Sequence, residues 1–182
     1  MKSLPSLNYG EIRHTVRNAD LILCHGNRFL HRSIRFWTGS HWNHAAIVFW
    51  WGDRVVMLES GSYGVATVHL SRFINEYPGD VALARCRGLS GEIADRIRDA
   101  AIEDLRDKYD TWTLPRLAVR KALGKLGFKW KAPENDRYYC SEWVRRIFVL
   151  GGGVEFRFDE QWIVSPGAIA DNSSVDLLGT LV

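Results

Sequence analysis

A strand–turn–strand pattern in the first third of the chain limits the fold more than any other segment. Seven consecutive apolar residues at 45–51 precede Gly52 and Asp53, and a second, mainly apolar run follows at 54–59. Short apolar runs bounded by turn residues are typical of buried strands, and a Gly-Asp pair between two of them predicts a tight hairpin. We therefore expect Trp51 to pair with Arg54, which fixes the register of the pairs behind them.

Further segments extend this hairpin into an antiparallel sheet of about five strands. The predicted strands cover residues 21–24, 45–51, 54–59, 65–70 and 81–86. Two helices are predicted beside them, one over 90–105 with Ser90 as its N-cap and one that begins near Cys140 and ends at the glycines 151–153. Strands in one block with helices apart from them are typical of an α+β fold.

The composition is that of an ordered globular protein, with 46% hydrophobic and 25% charged residues in 182. A chain of this length suits one domain, and we expect residues 1–182 to form it, with an irregular surface segment at 162–182. No run is long and apolar enough for a signal peptide or a membrane span. The three widely spaced cysteines do not suggest a disulfide framework. We therefore expect a cytoplasmic protein with reduced thiols.

Charge is concentrated in one segment. The net charge is only +3, which gives no reason to expect a nucleic-acid partner, but residues 111–133 contain six basic residues and no acidic one. On a helical wheel four of them, Arg120, Lys121, Lys125 and Lys129, lie opposite an apolar side. The segment is therefore either a helix packed on the core with a solvated face or an amphipathic segment that binds an anionic membrane weakly. The oligomeric state is left open by the sequence.

Cys140 is the candidate nucleophile. It stands at the predicted N-terminus of an amphipathic helix, where unpaired backbone N–H groups and the helix dipole favour the thiolate. The same N–H groups could bind the oxyanion that forms when a thiolate attacks a carbonyl. Cys24 and Cys86 lie inside apolar strands and are expected to be buried structural residues.

His44 and Glu59 complete the candidate site. If Trp51 pairs with Arg54, then Glu59 lies opposite Ala46, two residues from His44 and on the same face of the sheet. Such diagonal neighbours are close enough for an imidazole to contact a carboxylate. A carboxylate on one ring nitrogen leaves the other nitrogen to take the thiol proton. We therefore predict Cys140 as nucleophile, His44 as base and Glu59 as orienting residue.

Metal binding was the other hypothesis for the histidines. His25, His31 and His41 lie near Cys24 and His44 in the sequence. Their spacings match none of the common zinc patterns. We therefore expect neither a metal ion nor an organic cofactor.

Three motifs in this order resemble the YiiX/YebB-like proteins, a circularly permuted branch of the NlpC-type papain-like superfamily. They are NHAAIV at 43–48, VMLES at 56–60 and YCSEWV at 139–144, within a resemblance that covers about residues 19–170. The resemblance implies an α+β papain-like fold, amide or ester chemistry through a thioester, and the Cys, His and Glu roles at Cys140, His44 and Glu59. Departures are Ala19, where a Gly is common, and Trp143, where Leu is usual.

These observations leave three functions open. The first is a cysteine hydrolase that cleaves an amide bond in a peptide or cell-wall-type peptide. The second is a lipid acyl hydrolase or acyltransferase, which the basic segment 111–133 and the eight tryptophans would suit. The third is a binding module with a papain-like cleft. A complete set of Cys, His and Glu favours an enzyme over a binding module, because binding alone does not require the three together.

Overall fold

One sheet of seven strands runs through the computed structural model, which describes residues 4–26, 39–61, 64–105, 140–156 and 164–182. The strands are β1 (Ser6–Leu7), β2 (Asp20–Gly26), β3 (His44–Trp51), β4 (Arg54–Gly61), β5 (Gly64–His69), β6 (Gly79–Cys86) and β7 (Val175–Leu181). Their order across the sheet is β1-β7-β6-β2-β3-β4-β5. Neighbouring strands are antiparallel except for β1 and β7, which are parallel.

Five α-helices accompany the sheet in the described part of the chain. They are α1 (Tyr9–Ile12), α2 (Leu70–Glu76), α3 (Gly91–Glu103), α4 (Cys140–Gly152) and α5 (Pro166–Ala170). Ser90 caps α3 as predicted, because its Oγ accepts a hydrogen bond from the backbone N–H of Ile93. α4 ends at Gly153, whose φ of 61° suits glycine and whose N–H bonds the carbonyl of Val149. The α+β prediction is confirmed.

Three expectations about the sheet and the C-terminus were wrong. The predicted strands correspond to β2 through β6, but the strand number of about five was too low because β1 has only two residues and β7 was missed. The predicted irregular surface segment at 162–182 is wrong for its described part, residues 164–182, which include α5 and β7. The apolar pattern of β7 is broken at Gly179, where a side chain would collide with the side chain of Leu7. Leu70 begins α2 rather than ending a strand.

Helices cover both faces of the sheet. α3 and α4 pack on one face, where Ile97, Trp143 and Phe148 join a large apolar cluster with alternate residues of the strands. Gly151 of α4 lies so close to α3 that a Cβ would stand 2.5 Å from the Cα of Ile97. The backbones of α3 and α4 are therefore in direct contact. The opposite face of the sheet carries a second apolar cluster, covered by residues of α1 and α2 such as Phe73.

A buried ion pair fixes the central strand β2. Asp20 is 1% exposed, and its two carboxylate oxygens each accept a 2.7 Å hydrogen bond from the guanidinium of Arg85 on β6. The backbone N–H of Arg17 donates to the same carboxylate at 2.8 Å. Two-point contacts of this kind restrict the geometry as well as pairing the charges. They hold β2 and β6 in register, and β2 in turn supports β3, on which His44 lies.

Candidate active site

His44 and Glu59 are in contact at one end of the sheet. Trp51 pairs with Arg54 as predicted, and the same register continues to Ile47 opposite Leu58. Because side chains two apart share a face of a strand, this register puts His44 and Glu59 side by side. The distance from His44 Nε2 to Glu59 Oε2 is 2.6 Å. The predicted contact across the hairpin is therefore present.

Cys140 reaches the same point from the other face of the sheet. It is the first residue of α4 and is 8% exposed. Its thiol makes a hydrogen bond with the side chain of His44, and its sulfur also accepts hydrogen bonds from the backbone N–H groups of Ala45 and Ser141. Ser141 is itself fixed, since its Oγ donates to the carbonyl of Val164 at 2.7 Å. The start of β3 and the start of α4 thus converge on one sulfur atom.

The three groups alter one another's pKa values. Burial raises the pKa of the Cys140 thiol, but the adjacent His44 charge and the hydrogen bonds from His44, Ala45 and Ser141 outweigh it, so that the pKa is lowered. Burial lowers the pKa of His44, and the charges and hydrogen bonds of Cys140 and Glu59 reverse this and raise it to about 10. The pKa of Glu59 is lowered because its hydrogen bond to His44 and the positive charge of His44 overcome the effect of burial.

These shifts favour a thiolate beside an imidazolium. Since Nε2 of His44 faces Glu59, Nδ1 is the ring nitrogen left to exchange a proton with Cys140. A thiolate is the nucleophilic form of cysteine, and the paired imidazolium can return its proton to a leaving group. The arrangement has the parts that attack on a carbonyl requires.

The other two cysteines lie in different surroundings. Cys24 is fully buried, and burial together with the nearby charges of Glu59 and Cys140 raises its pKa well above that of an ordinary thiol. Burial also raises the pKa of Cys86. Neither has the environment of a reactive thiol, as predicted from their positions in apolar strands.

Two polar residues near this cluster were not singled out by the sequence. Asn43 immediately precedes His44 and is 2% exposed, and Tyr77 follows the last residue of α2. The Nδ2 group of Asn43 donates to the hydroxyl of Tyr77 at 3.2 Å. Asn43 could have been identified as a site residue from its position next to His44. No local pattern marked Tyr77, because its position depends on how α2 packs on the sheet.

The histidines considered for a metal site do not form one in the described ranges. The rings of His25 and His41 stack with centroids 4.0 Å apart, and Nδ1 of His25 lies 2.9 Å from the carbonyl oxygen of His41. His31 lies outside the described residues. Among the residues that the structure describes, no three His, Cys, Asp or Glu side chains are grouped as ligands for a metal ion.

The basic segment 111–133 also lies outside the described residues, so neither interpretation of it is tested. Within the described ranges, no helix combines the length and the apolar character needed to cross a bilayer.

Comparisons with known proteins bear on the family and the fold. Residues 15–161 match the model of a family described as permuted papain-like amidase enzymes, YaeF/YiiX, C92 family. A crystal structure described as that of the metalloprotein YiiX from Escherichia coli O157:H7 superposes with a TM-score of 0.68 at 20% sequence identity, covering 90% of this chain and 97% of that one. No curated protein matches. The expected resemblance and the permuted papain-like fold are confirmed.

Proposed function

Because the chain belongs to the YaeF/YiiX family of permuted papain-like amidases, we propose that it cleaves an amide bond through an acyl-enzyme on Cys140. The observation that carries the proposal is the single hydrogen-bonded series that joins Cys140, His44 and Glu59 at the N-terminus of α4. A nucleophile, a base within hydrogen-bonding reach and a third group that orients the base are the signature of nucleophilic catalysis.

In the proposed reaction the Cys140 thiolate attacks the carbonyl carbon of the scissile amide. A sulfur–carbon bond forms, and the carbonyl π electrons move to oxygen. As the oxyanion collapses, the carbon–nitrogen bond breaks and the His44 imidazolium gives its proton to the departing amine. Water then attacks the thioester while His44 takes one of its protons. The carboxylic acid is released, and the thiolate and imidazolium are restored.

Glu59 would act on this reaction through His44. Its carboxylate holds Nε2 at 2.6 Å and so fixes the ring with Nδ1 toward the sulfur. Its negative charge also helps to raise the pKa of His44 to about 10. An imidazolium is thereby present to protonate an amine, which is a poor leaving group without a proton. This supports an amide rather than only an activated ester as the substrate bond.

The backbone at the start of α4 supports the transition state in this proposal. N–H groups in the first turn of a helix have no partner within the helix, and they point toward negative charge that develops there. The N–H group of Cys140 itself belongs to this set. We propose a peptide or cell-wall-type peptide as the substrate. The reaction as written uses neither an organic cofactor nor a metal ion.

Acyl-enzyme trapping tests the proposal. The protein is incubated with a mixture of peptide amides and, separately, with acyl lipids, and the mass of the Cys140 peptide is measured. We expect an acyl adduct from the peptide mixture that is absent in Cys140→Ser and unaffected by Cys86→Ser. An adduct from lipids alone would replace the amide proposal with lipid acyl chemistry, and turnover that persists in Cys140→Ser would refute the nucleophile.

A further inference from the structure

Tyr77 and Asn43 form a polar pair beside the candidate site that the reaction above does not use. The carboxamide of Asn43 is oriented from both ends. Its Oδ1 accepts a 2.5 Å hydrogen bond from the backbone N–H of Gly26, and its Nδ2 donates to Tyr77 Oη at 3.2 Å. An amide oxygen must face the N–H donor, so the NH₂ group faces the phenol. Asn43 is thus fixed as a support for the Tyr77 hydroxyl.

The surrounding strands place the Tyr77 side chain on the face that carries His44. Alternation along β3 puts His44 on the side of Ala46 and Val48, which belong to the apolar cluster against which Tyr77 packs. Cys24 is paired directly with His44 in the register of β2 and β3. Gly79 starts β6 opposite Gly26, and its N–H bonds the carbonyl of Tyr77. Backbone and side-chain contacts therefore both bring Tyr77 to the sheet end where His44 begins.

The electrostatic environment agrees with that placement. Burial raises the pKa of the Tyr77 hydroxyl, and the charges of Cys24, Cys140 and Glu59 raise it further, against a lowering by the hydrogen bond from Asn43. Two of these charges, those of Cys140 and Glu59, belong to the candidate site. The Tyr77 phenol stays protonated through the neutral range and so remains a hydrogen-bond donor while the thiolate is present.

We propose that the Tyr77 hydroxyl is a catalytic hydrogen-bond donor to the carbonyl oxygen of the acyl group, and that Asn43 is its positioning residue. The inference rests on the proposed function. When the sulfur–carbon bond forms, negative charge collects on that oxygen, and the Tyr77 O–H bonds it without transferring its proton. Donors aimed at developing charge are among the largest contributions to catalysis.

The phenol ring alone accounts for the packing of Tyr77. It stacks on Phe73 with ring centroids 5.0 Å apart, and this contact needs no hydroxyl. Tyr77→Phe therefore removes the proposed donor and keeps the packing. Tyr9 offers a matched control, because it packs against the same cluster and its pKa is raised by burial and lowered by Arg13, without a contribution from the candidate site.

The experiment compares acylation with alkylation. The burst of p-nitrophenolate from p-nitrophenyl acetate measures attack on a carbonyl, whereas iodoacetamide alkylation of Cys140 forms no oxyanion. We expect Tyr77→Phe to slow the burst by about a hundredfold and to leave the alkylation rate and its pH dependence unchanged. Tyr9→Phe should alter neither rate.

Three results would count against the inference in different ways. An unchanged burst in Tyr77→Phe, with a burst that disappears in Cys140→Ser, would overturn the role of Tyr77 and leave the proposed function standing. Equal slowing of burst and alkylation would show a structural role only. A burst that persists in Cys140→Ser would overturn the proposed function and this inference with it.

Asn43 is tested by non-additivity. Because Asn43 acts through the hydroxyl, Asn43→Ala should slow the burst less than Tyr77→Phe does, and it should add little in the Tyr77→Phe background. Independent, additive effects of the two substitutions would overturn the positioning role of Asn43.

Discussion

His44 Nε2 lies 2.6 Å from Glu59 Oε2, across a hairpin in which the two residues are diagonal neighbours. The contact occupies the nitrogen that points away from Cys140. It therefore leaves Nδ1 as the ring nitrogen that faces the Cys140 thiol. Through His44, the Glu59 carboxylate also influences the pKa of Cys140, with which it makes no hydrogen bond of its own in this series.

Glu59→Gln tests that connection. Loss of the carboxylate removes one cause of the raised pKa of His44, so the imidazolium becomes less favoured and the pKa of Cys140 rises. We expect the midpoint of iodoacetamide alkylation to move to higher pH. Turnover should fall, but by about ten- to a hundredfold less than in His44→Ala. Glu76→Gln on exposed α2 is the control, and an unchanged alkylation midpoint in Glu59→Gln would refute the orienting role.

Cys140 should be the fastest of the three thiols to react. Its lowered pKa leaves thiolate present below the pH at which an ordinary cysteine ionises, whereas Cys24 and Cys86 have raised pKa values. Peptide mapping after brief iodoacetamide treatment at neutral pH should find carbamidomethyl almost only on Cys140. Cys140→Ser should keep the fold and abolish turnover. Equal labelling of the three cysteines in the folded protein would contradict the assignment.

Arg85→Met should destabilise the protein strongly. It leaves the Asp20 carboxylate buried with its charge no longer paired with the guanidinium, and breaking a buried pair in this way costs about 3–5 kcal/mol. Arg72→Met removes an exposed pair with Glu76, and should cost less than about 1 kcal/mol. Urea unfolding measures how much free energy of unfolding each variant loses. Similar losses would show that the buried pair contributes no more to stability than the exposed pair.

Gly151→Ala should lower the free energy of unfolding through the contact between α3 and α4. The added Cβ would meet backbone atoms of Ile97 and Arg96, which cannot move aside as a flexible side chain would. We expect a loss of about 1–3 kcal/mol. Gly91→Ala has open space around its Cβ, and should be neutral or slightly stabilising. Thermal unfolding compares them, and equal melting temperatures would argue against close helix packing.

Weak binding to anionic membranes remains a prediction from the segment 111–133. Each cation near an acidic bilayer contributes about 1 kcal/mol. We expect co-sedimentation with anionic liposomes that decreases with salt and falls when Lys121, Lys125 and Lys129 are changed to Gln. A variant with Arg54, Arg72 and Arg87 changed together to Gln loses the same three charges from exposed positions and serves as a control for total charge. Absence of binding at low salt would remove the sequence support for lipid chemistry.

The geometry of the candidate site was predictable from the sequence where local rules determine it. The turn at Gly52 and Asp53 sets the pairing of β3 with β4, and the two-residue period of strands then brings Glu59 to His44. The helix pattern after Cys140 likewise places it at an N-terminus. These features need no knowledge of the whole fold.

Tyr77 and β7 depend on the fold as a whole. Tyr77 approaches the site only because β6 pairs with β2 and brings Gly79 beside Gly26. The spacing of residues along the chain does not predict that pairing. β7 lies between β1 and β6 with a register shift between Leu83 and Ala84 on its partner, and such irregularity obscures the alternation by which strands are recognised.

The position of Cys140 at the junction of β3 and α4 also makes its chemistry a property of folding. The groups that acidify the sulfur include His44 and Ala45, which stand far earlier in the chain. Before α4 docks on the sheet, Cys140 is an ordinary thiol with a pKa of about 8.5. We therefore expect a newly made chain to lack the acidified thiol, which forms only with the tertiary structure. In a partly denatured sample, the fraction of Cys140 that is labelled rapidly should therefore equal the fraction of molecules that are folded.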